Sequence, residues 1–551
     1  MAHLVMYRNG SVYSPADPFA TAMLVEDGTV AWVGQEAAAA SLLDDRMDVV
    51  DLRGALIAPA FFDSHVHLTE LGASLEQLDL SAVRDAAGLL AAVRAQAATA
   101  PGEPVLGAGW DESRWDTPEL PTAAQLSAAA GGAPVYLARA DVHSALVSPA
   151  VLEAGIAPGT AAPGTESAHV AGERHAELRR RALDYDDDTR RRYQRAALAH
   201  LAARGVAGVA EMAAPQISGA RDAELLRELL DAAGDDLPLV RLYWGELVDS
   251  AETARAVAGA FGPRLAGLGG DLNIDGSLGS RTAALSHDYS DAPGESGTLM
   301  LDADQVARHL VACTEAGLQA AFHVIGDGAA RVLAEGLRIA MRQVGAERLQ
   351  ALRHRVEHAE MIDDDVLGSL LEAGFTASMQ PGFDARWGGP GGLYEQRLGP
   401  ERATGMNQIG RLLAAGVPVC LGSDAPVLPI DPWASVKACL ELSDASSRIS
   451  ARAAFVASTR AGYRAAGVDV PFAGQLVPGA AATFAVWSAS ELMVQTPDSR
   501  VAAWSTDARA GTPMLPALDD AAPECLRTVR EGRILFESPA FQGAERVPHS
   551  Q

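Results

Sequence analysis

The chain has 551 residues, a formal net charge of −27, 48% hydrophobic and 21% charged residues. It is too long for one ordinary domain and rich enough in apolar side chains for a sizeable core, with no compositional sign of disorder. The acidic balance argues against nucleic acid, whose phosphates demand clustered cations, and against an anionic membrane surface. It reads instead as the solubility charge of a cytoplasmic protein.

Met1 to Pro15 lacks the basic-then-apolar order of a signal peptide, and no apolar run reaches the roughly eighteen residues that span a bilayer. Short strands come first. Ala22–Glu26 and Val30–Val33 flank Asp27-Gly28, a hairpin signal, and Val49–Leu52 and Ala55–Ile57 continue the pattern. The C-terminal end reads the same way: Thr483–Trp487, then Leu526–Arg530 and Arg533–Phe536 about Glu531-Gly532. One small β-sandwich built from both ends, residues 1–58 plus 476–551, is the expectation. In between, apolar runs alternate with Ala/Leu/Arg/Glu segments of helical period. Thr189–Arg204 precedes Val206–Val209, Ala303–Ala316 precedes Gln319–Val324, and Ile409–Ala415 precedes Val417–Leu421. Alternation of this kind implies a parallel sheet, and the number of units over residues 59–475 favours a (β/α)₈ TIM-type barrel. The stretch of about 71–187, rich in Pro, Gly and aromatics, fits no βα unit. It reads as an insertion after the first barrel strand, covering the mouth. Cys313, Cys420, Cys439 and Cys525 are scattered and form no CxxC pair, so buried free thiols are expected.

The chemistry starts at Phe61-Phe62-Asp63-Ser64-His65-Val66-His67. Residues two apart in a strand share a face, so His65 and His67 project together as two nitrogen ligands suited to zinc. His323 ends one apolar run, His358 another, and Asp424 a third. Strand C-termini are where barrel enzymes place their chemistry. Arg355 and Glu357 flank His358 on its strand; one face cannot hold all three, so those two are expected to be structural. Glu211 ends the Val206–Ala210 run and also points to the barrel top.

Phe61–Leu68, Ala321–Gly328, Arg355–Ala359 and Gly422–Pro426 resemble the amidohydrolase superfamily. Gly109–Glu112, Asp275–Ala283 and Met379–Pro381 resemble its amidohydrolase-3, YtcJ-like branch, which includes N-substituted formamide deformylases. The resemblance implies that His65, His67, His323, His358 and Asp424 hold a divalent metal. It also implies that Asp424 handles the proton of the attacking water and that His358 helps catalysis. Trp110, Asp111, His143, Arg281 and Gln380 lie in family-like stretches and, with Glu211, are the expected substrate contacts. One position departs from the family. Relatives carry a lysine four residues before the Asp-Gly of Asp275-Gly276, carboxylated to bridge two metals; here Asp271 stands there. The chain's one lysine, Lys437, lies beyond the Asp424 strand. Aspartate lacks the long stem and reaches the same point only if the backbone moves. A single zinc on His65, His67, His323 and Asp424 is therefore favoured over a pair bridged by Asp271.

The expected activity is hydrolysis of a C–N bond in a small-molecule amide, N-formyl compound or cyclic amide. A ring deaminase with one metal, and a non-catalytic binding protein on a degenerate fold, stay open. Barrels of this type often pair, so a homodimer is an open expectation as well.

Overall fold

In the computed structural model, which describes residues 3–153, 167–489, 491–495, 504–505, 513–518 and 522–541, eight strands follow one another in sequence order around a single sheet. They are β1 (Phe61–Val66), β2 (Val206–Ala213), β3 (Leu239–Trp244), β4 (Leu265–Leu268), β5 (Gln319–Val324), β6 (Arg355–His358), β7 (Thr376–Met379) and β8 (Val419–Leu421). Neighbours pair in parallel from β1 to β8. The ring closes where Val66 bridges Ala425. There Asp424 N donates to His65 O at 2.8 Å and His67 N to Ala425 O at 3.0 Å.

Every residue of β1, β2, β5, β6, β7 and β8 is buried. Such strands carry continuous apolar runs, not alternation, because helices cover one face and barrel side chains the other. The helices stop for a local reason. Ala303–Ala316, Asp364–Ala373 and Ile409–Ala415 each end on a glycine in the left-handed region (Gly317, Gly374, Gly416). No Cβ opposes that turn, and β5, β7 and β8 follow within three residues.

Both chain ends meet in the β-sandwich. Phe484–Trp487 pairs antiparallel with Leu56–Pro59 on one side and with Cys525–Arg530 on the other. A second sheet holds Leu4–Arg8, Ala22–Glu26, Thr29–Gly34 and Met47–Asp51. The Asp27-Gly28 and Glu531-Gly532 turns, one from each end, lie against each other: a Cβ on Gly28 would sit 2.4 Å from Glu531 O. Phe61, at the foot of β1, sits edge-on to Trp433, Phe455 and Trp487 with ring centroids 5.0, 5.3 and 5.8 Å away, which ties sandwich to barrel.

The insertion is more ordered than its composition suggested. It has a five-stranded sheet of its own, in the order His169–Ala171, Ser144–Val147, Val135–Arg139, Val105–Trp110, Leu78–Asp79. The helices Ala86–Thr99 and Ala123–Ala129 contribute to its apolar core. All four cysteines are buried and free. Among the described residues no helix is long and apolar enough to cross a membrane.

Two histidines of the barrel wall are buried as neutral rings. His309 accepts from Val248 N at 3.1 Å, and His354 accepts from Ala320 N at 2.8 Å. Burial lowers them to about 4 and about 3. A depressed histidine contributes its full stability above the ordinary value of about 6.5 and loses it as pH falls toward the folded value, at about 1.4 kcal/mol per pH unit. The thermal midpoint, followed by circular dichroism, should therefore drop between pH 6.5 and pH 4.5. His354→Gln, which has no proton to gain, should show a shallower drop.

Candidate metal centre

His65 lies near the end of β1 and His67 just beyond it. On the same inward face, Asp63 accepts from His65 N at 3.1 Å and Ser423 N at 3.0 Å, locking β1 to the segment after β8. Each of three imidazoles is oriented by an oxygen behind it. His65 Nδ1 donates to Glu357 Oε2 at 3.0 Å, His67 Nδ1 to Met212 O at 3.1 Å, and His358 Nδ1 to Gln380 Oε1 at 2.9 Å. These contacts occupy each Nδ1–H and turn each Nε2 toward the centre, the arrangement of metal-ligating histidines. The fourth, His323, has Nδ1 3.7 Å from Asp275 Oδ1.

Strand alternation misjudged Arg355 and Glu357. Both point into the barrel, where Arg355 Nε donates to Glu357 Oε1 at 2.8 Å and Arg355 Nη2 to Ser64 O at 2.7 Å. His358 joins them because the strand ends there with φ of +70°, which swings its side chain inward out of the alternating pattern. Glu357 is thus the partner that orients His65.

Asp271 reaches the centre because the backbone turns in. After β4 the chain runs through Gly269 and Gly270, with φ of +123° and +80°. A Cβ on Gly269 would lie 1.8 Å from Ala321 O, and one on Gly270 2.5 Å from Met212 Sδ. Only glycine permits this approach. The Asp271 carboxylate then stands 3.4 Å from His65 Nε2 and 3.3 Å from His67 Nε2. Asp424 Oδ1 lies 3.2 Å from His67 Nε2 and 3.5 Å from His65 Nε2.

These atoms suit a cation. His65 Nε2, His358 Nε2 and Asp271 Oδ1 are buried and make no hydrogen bond. Ligand atoms within 4.8 Å of one another form three groups: His65, His67 and Asp271; His65, His358 and Asp424; Asp271, His323 and His358. The expected set of His65, His67, His323 and Asp424 is not among them as a unit, and Asp271 joins the first group to the third. Charge follows the same logic. Burial works against a protonated His67, but the Asp271 and Asp424 carboxylates outweigh it and hold the ring up at about 9. Burial opposes the Asp271 carboxylate too, yet the imidazoles of His65, His67 and His323 hold it well below the usual range. The cluster balances its own charge with protons that a cation would displace.

Two cavities flank the cluster. A cleft of about 710 Å³ carries His67, Asp271, His143, Arg179 and Gln216, with Leu299 and Met300 in its wall. On the other side a pocket of about 30 Å³ is walled by His323, His358, Asp424, Glu360, Phe383 and Tyr394. His143 lines both.

The other five expected substrate contacts are placed elsewhere. Trp110 is in the core of the insertion, its Nε1 donating to Leu137 O at 2.8 Å. Asp111 is buried between Arg139 and Trp387, at 3.0 and 2.9 Å. Glu211 accepts from Leu68 N at 2.7 Å, bracing the turn after His67. Arg281 pairs with Asp291 at 2.7 Å, and Gln380 serves His358. Each has a partner within the protein. Sequence reasoning gave no role to two residues that matter. Asp275 accepts from Ile325 N, Gly326 N and Ala284 N at 3.0, 2.8 and 2.9 Å, pinning its loop over His323. Glu360 faces the small pocket with Oε2 unpartnered, and burial pushes it up to about 8. The unusual Asp-Gly loop could have flagged Asp275. Nothing in the strand pattern flags Glu360.

A closed parallel barrel with histidines and aspartates converging at its C-terminal rim defines a metal-dependent hydrolase. The comparisons agree. A Pyrococcus furiosus structure titled an uncharacterized metal-dependent hydrolase superposes with a TM-score of 0.67 at 27% identity, covering 88% of this chain and 98% of that one. The family model described as "Amidohydrolase family" matches residues 48–536, and the chain belongs to that family. Among its relatives is Protein LONG AFTER FAR-RED 3 of Arabidopsis thaliana, 28% identical over 88% of this chain and 87% of its own. YtcJ of Bacillus subtilis is 28% identical over 76% and 79%. The N-substituted formamide deformylase of Arthrobacter pascens is 24% identical over 76% and 80%. The chain falls in the YtcJ-like branch.

Asp271→Ala should cost at least one equivalent of bound zinc, measured by plasma mass spectrometry on stripped and reloaded protein; unchanged content would remove Asp271 from the ligands. Metal uptake at pH 7 should release protons, read with an indicator dye in weak buffer, because His67 is protonated until a cation replaces its proton.

Proposed function

We propose that this protein hydrolyses the C–N bond of a small N-formyl or short N-acyl amine, at a centre where His65, His67, His323, His358, Asp271 and Asp424 would hold two divalent cations. The carrying observation is the asymmetry around the cluster: a cleft of about 710 Å³ on one side and a pocket of about 30 Å³ on the other. A pocket that small holds about two waters, or a group of that size. The acyl end sits there, and the bulkier amine lies in the cleft against Leu299 and Met300. The naming of one relative as an N-substituted formamide deformylase supports the same substrate class.

Nitrogen and carboxylate donors suit zinc, which supplies a water-derived nucleophile at neutral pH and polarises the scissile carbonyl. Asp424, between the histidines and the small pocket, takes the proton of the attacking water and returns it to the departing nitrogen. His143, at the junction of the cavities, orients the acyl oxygen. Burial lowers it from the ordinary histidine value, so it does so as a neutral donor. His358, held by Gln380, fixes the far end of the cluster. Asp271 belongs to the groups at both ends, which favours two ions over one.

The test is a panel of N-acyl amines scored for free amine and acid. N-formyl substrates should exceed N-butanoyl ones, which carry three more carbons, at least about tenfold in kcat/KM, the scale set by even one methylene without room. Ammonia as the product would mark a ring deaminase; full metal occupancy without turnover would leave a binding protein. Asp424→Asn should lower kcat by roughly 10²–10⁴, and full activity would end its role in proton transfer.

A further inference from the structure

A second large cavity lies at the opposite end of the barrel. This groove of about 850 Å³ opens at the N-terminal ends of β7 and β8, between the helices Asp364–Ala373, Ala451–Ala457 and Arg460–Ala465. Its floor includes Phe375 and Val417, which precede strands that finish near Gln380 and Asp424. Strand rise separates it from the metal cluster by on the order of 15 Å, so it is not part of that site.

Its lining combines two features. The first is apolar exposure. Leu371 and Val456 are each 38% exposed, and both lie in the groove beside Leu370, Leu413 and Val419. The second is charge. Arg353, Arg452, Arg460 and Arg464 line it and no acidic residue does, in a chain where Asp and Glu outnumber Lys and Arg by 71 to 44. Arg452 is engaged by the Tyr13 hydroxyl. Arg353, Arg460 and Arg464 have no carboxylate within 4.0 Å among the described residues. Many arginines elsewhere are matched, as Arg221 is with Asp187 and Glu224, and Arg397 with Glu112 and Asp291; those of this groove stand together without a carboxylate in its lining.

We infer that this groove binds a small amphiphilic anion: an alkyl carboxylate whose chain covers the Leu371–Val456 floor and whose head meets Arg353, Arg460 and Arg464. The volume falls in the range of small-molecule sites. The guanidinium fork matches a carboxylate in two parallel hydrogen bonds. The apolar floor accounts for a chain where a bare phosphate would leave it wet.

Calorimetric titration of the full-length protein with decanoate, below its micelle concentration, tests this. One equivalent should bind saturably. Decyltrimethylammonium, with the same chain and the opposite head, should bind at least tenfold more weakly. Combined Arg353→Gln, Arg460→Gln and Arg464→Gln, all at exposed positions, should weaken decanoate at least tenfold at unchanged thermal midpoint. Asp271→Ala should bind decanoate as the parent does, which separates this groove from the metal cluster. Absence of saturable binding, equal binding of the cationic amphiphile, or decanoate affinity indifferent to the three substitutions would each overturn the assignment.

Discussion

Three hydrogen bonds pointing away from the centre govern this molecule's chemistry. An imidazole free to rotate can present either nitrogen, and a buried one without a partner costs several kcal/mol. Here Glu357, the Met212 carbonyl and Gln380 each take an Nδ1 proton. The inward Nε2 atoms of His65, His67 and His358 are therefore aimed before any cation arrives. The Arg355–Glu357 pair, wholly buried, is tolerated because the ring it orients and the backbone oxygen of Ser64 complete its hydrogen bonding.

The Asp271 position shows how backbone geometry can replace side-chain length. A short carboxylate reaches the histidines only because the chain after β4 folds inward at Gly269 and Gly270, closer to Ala321 and Met212 than any Cβ allows.

Much of this was legible in the sequence, and the physical reason is periodicity. The βα alternation and the terminal hairpins rest on local patterns, and the strands form where those patterns lie. What failed were inferences that needed three dimensions. Alternation placed His358 opposite Glu357 until a positive φ at the strand end turned it in. Trp110, Asp111, Arg281 and Gln380 sit in distinctive motifs, but each is satisfied by a neighbour 10 to 276 residues away, and no spacing rule announces Leu137, Trp387, Asp291 or His358 as that neighbour. The insertion's sheet was hidden for a related reason: its strands are short, and Pro and Gly interrupt them.

The back-to-back turns of Asp27-Gly28 and Glu531-Gly532 have a bearing on biosynthesis. The strand Leu56–Pro59 leaves the ribosome long before Phe484–Trp487, its antiparallel neighbour. At ordinary elongation rates of 5–20 residues per second the delay is roughly 20–90 s. Throughout that interval the earliest strands expose an unpaired edge, the kind of surface that invites association with other nascent chains. The barrel matures in the middle while its own beginning waits for its end.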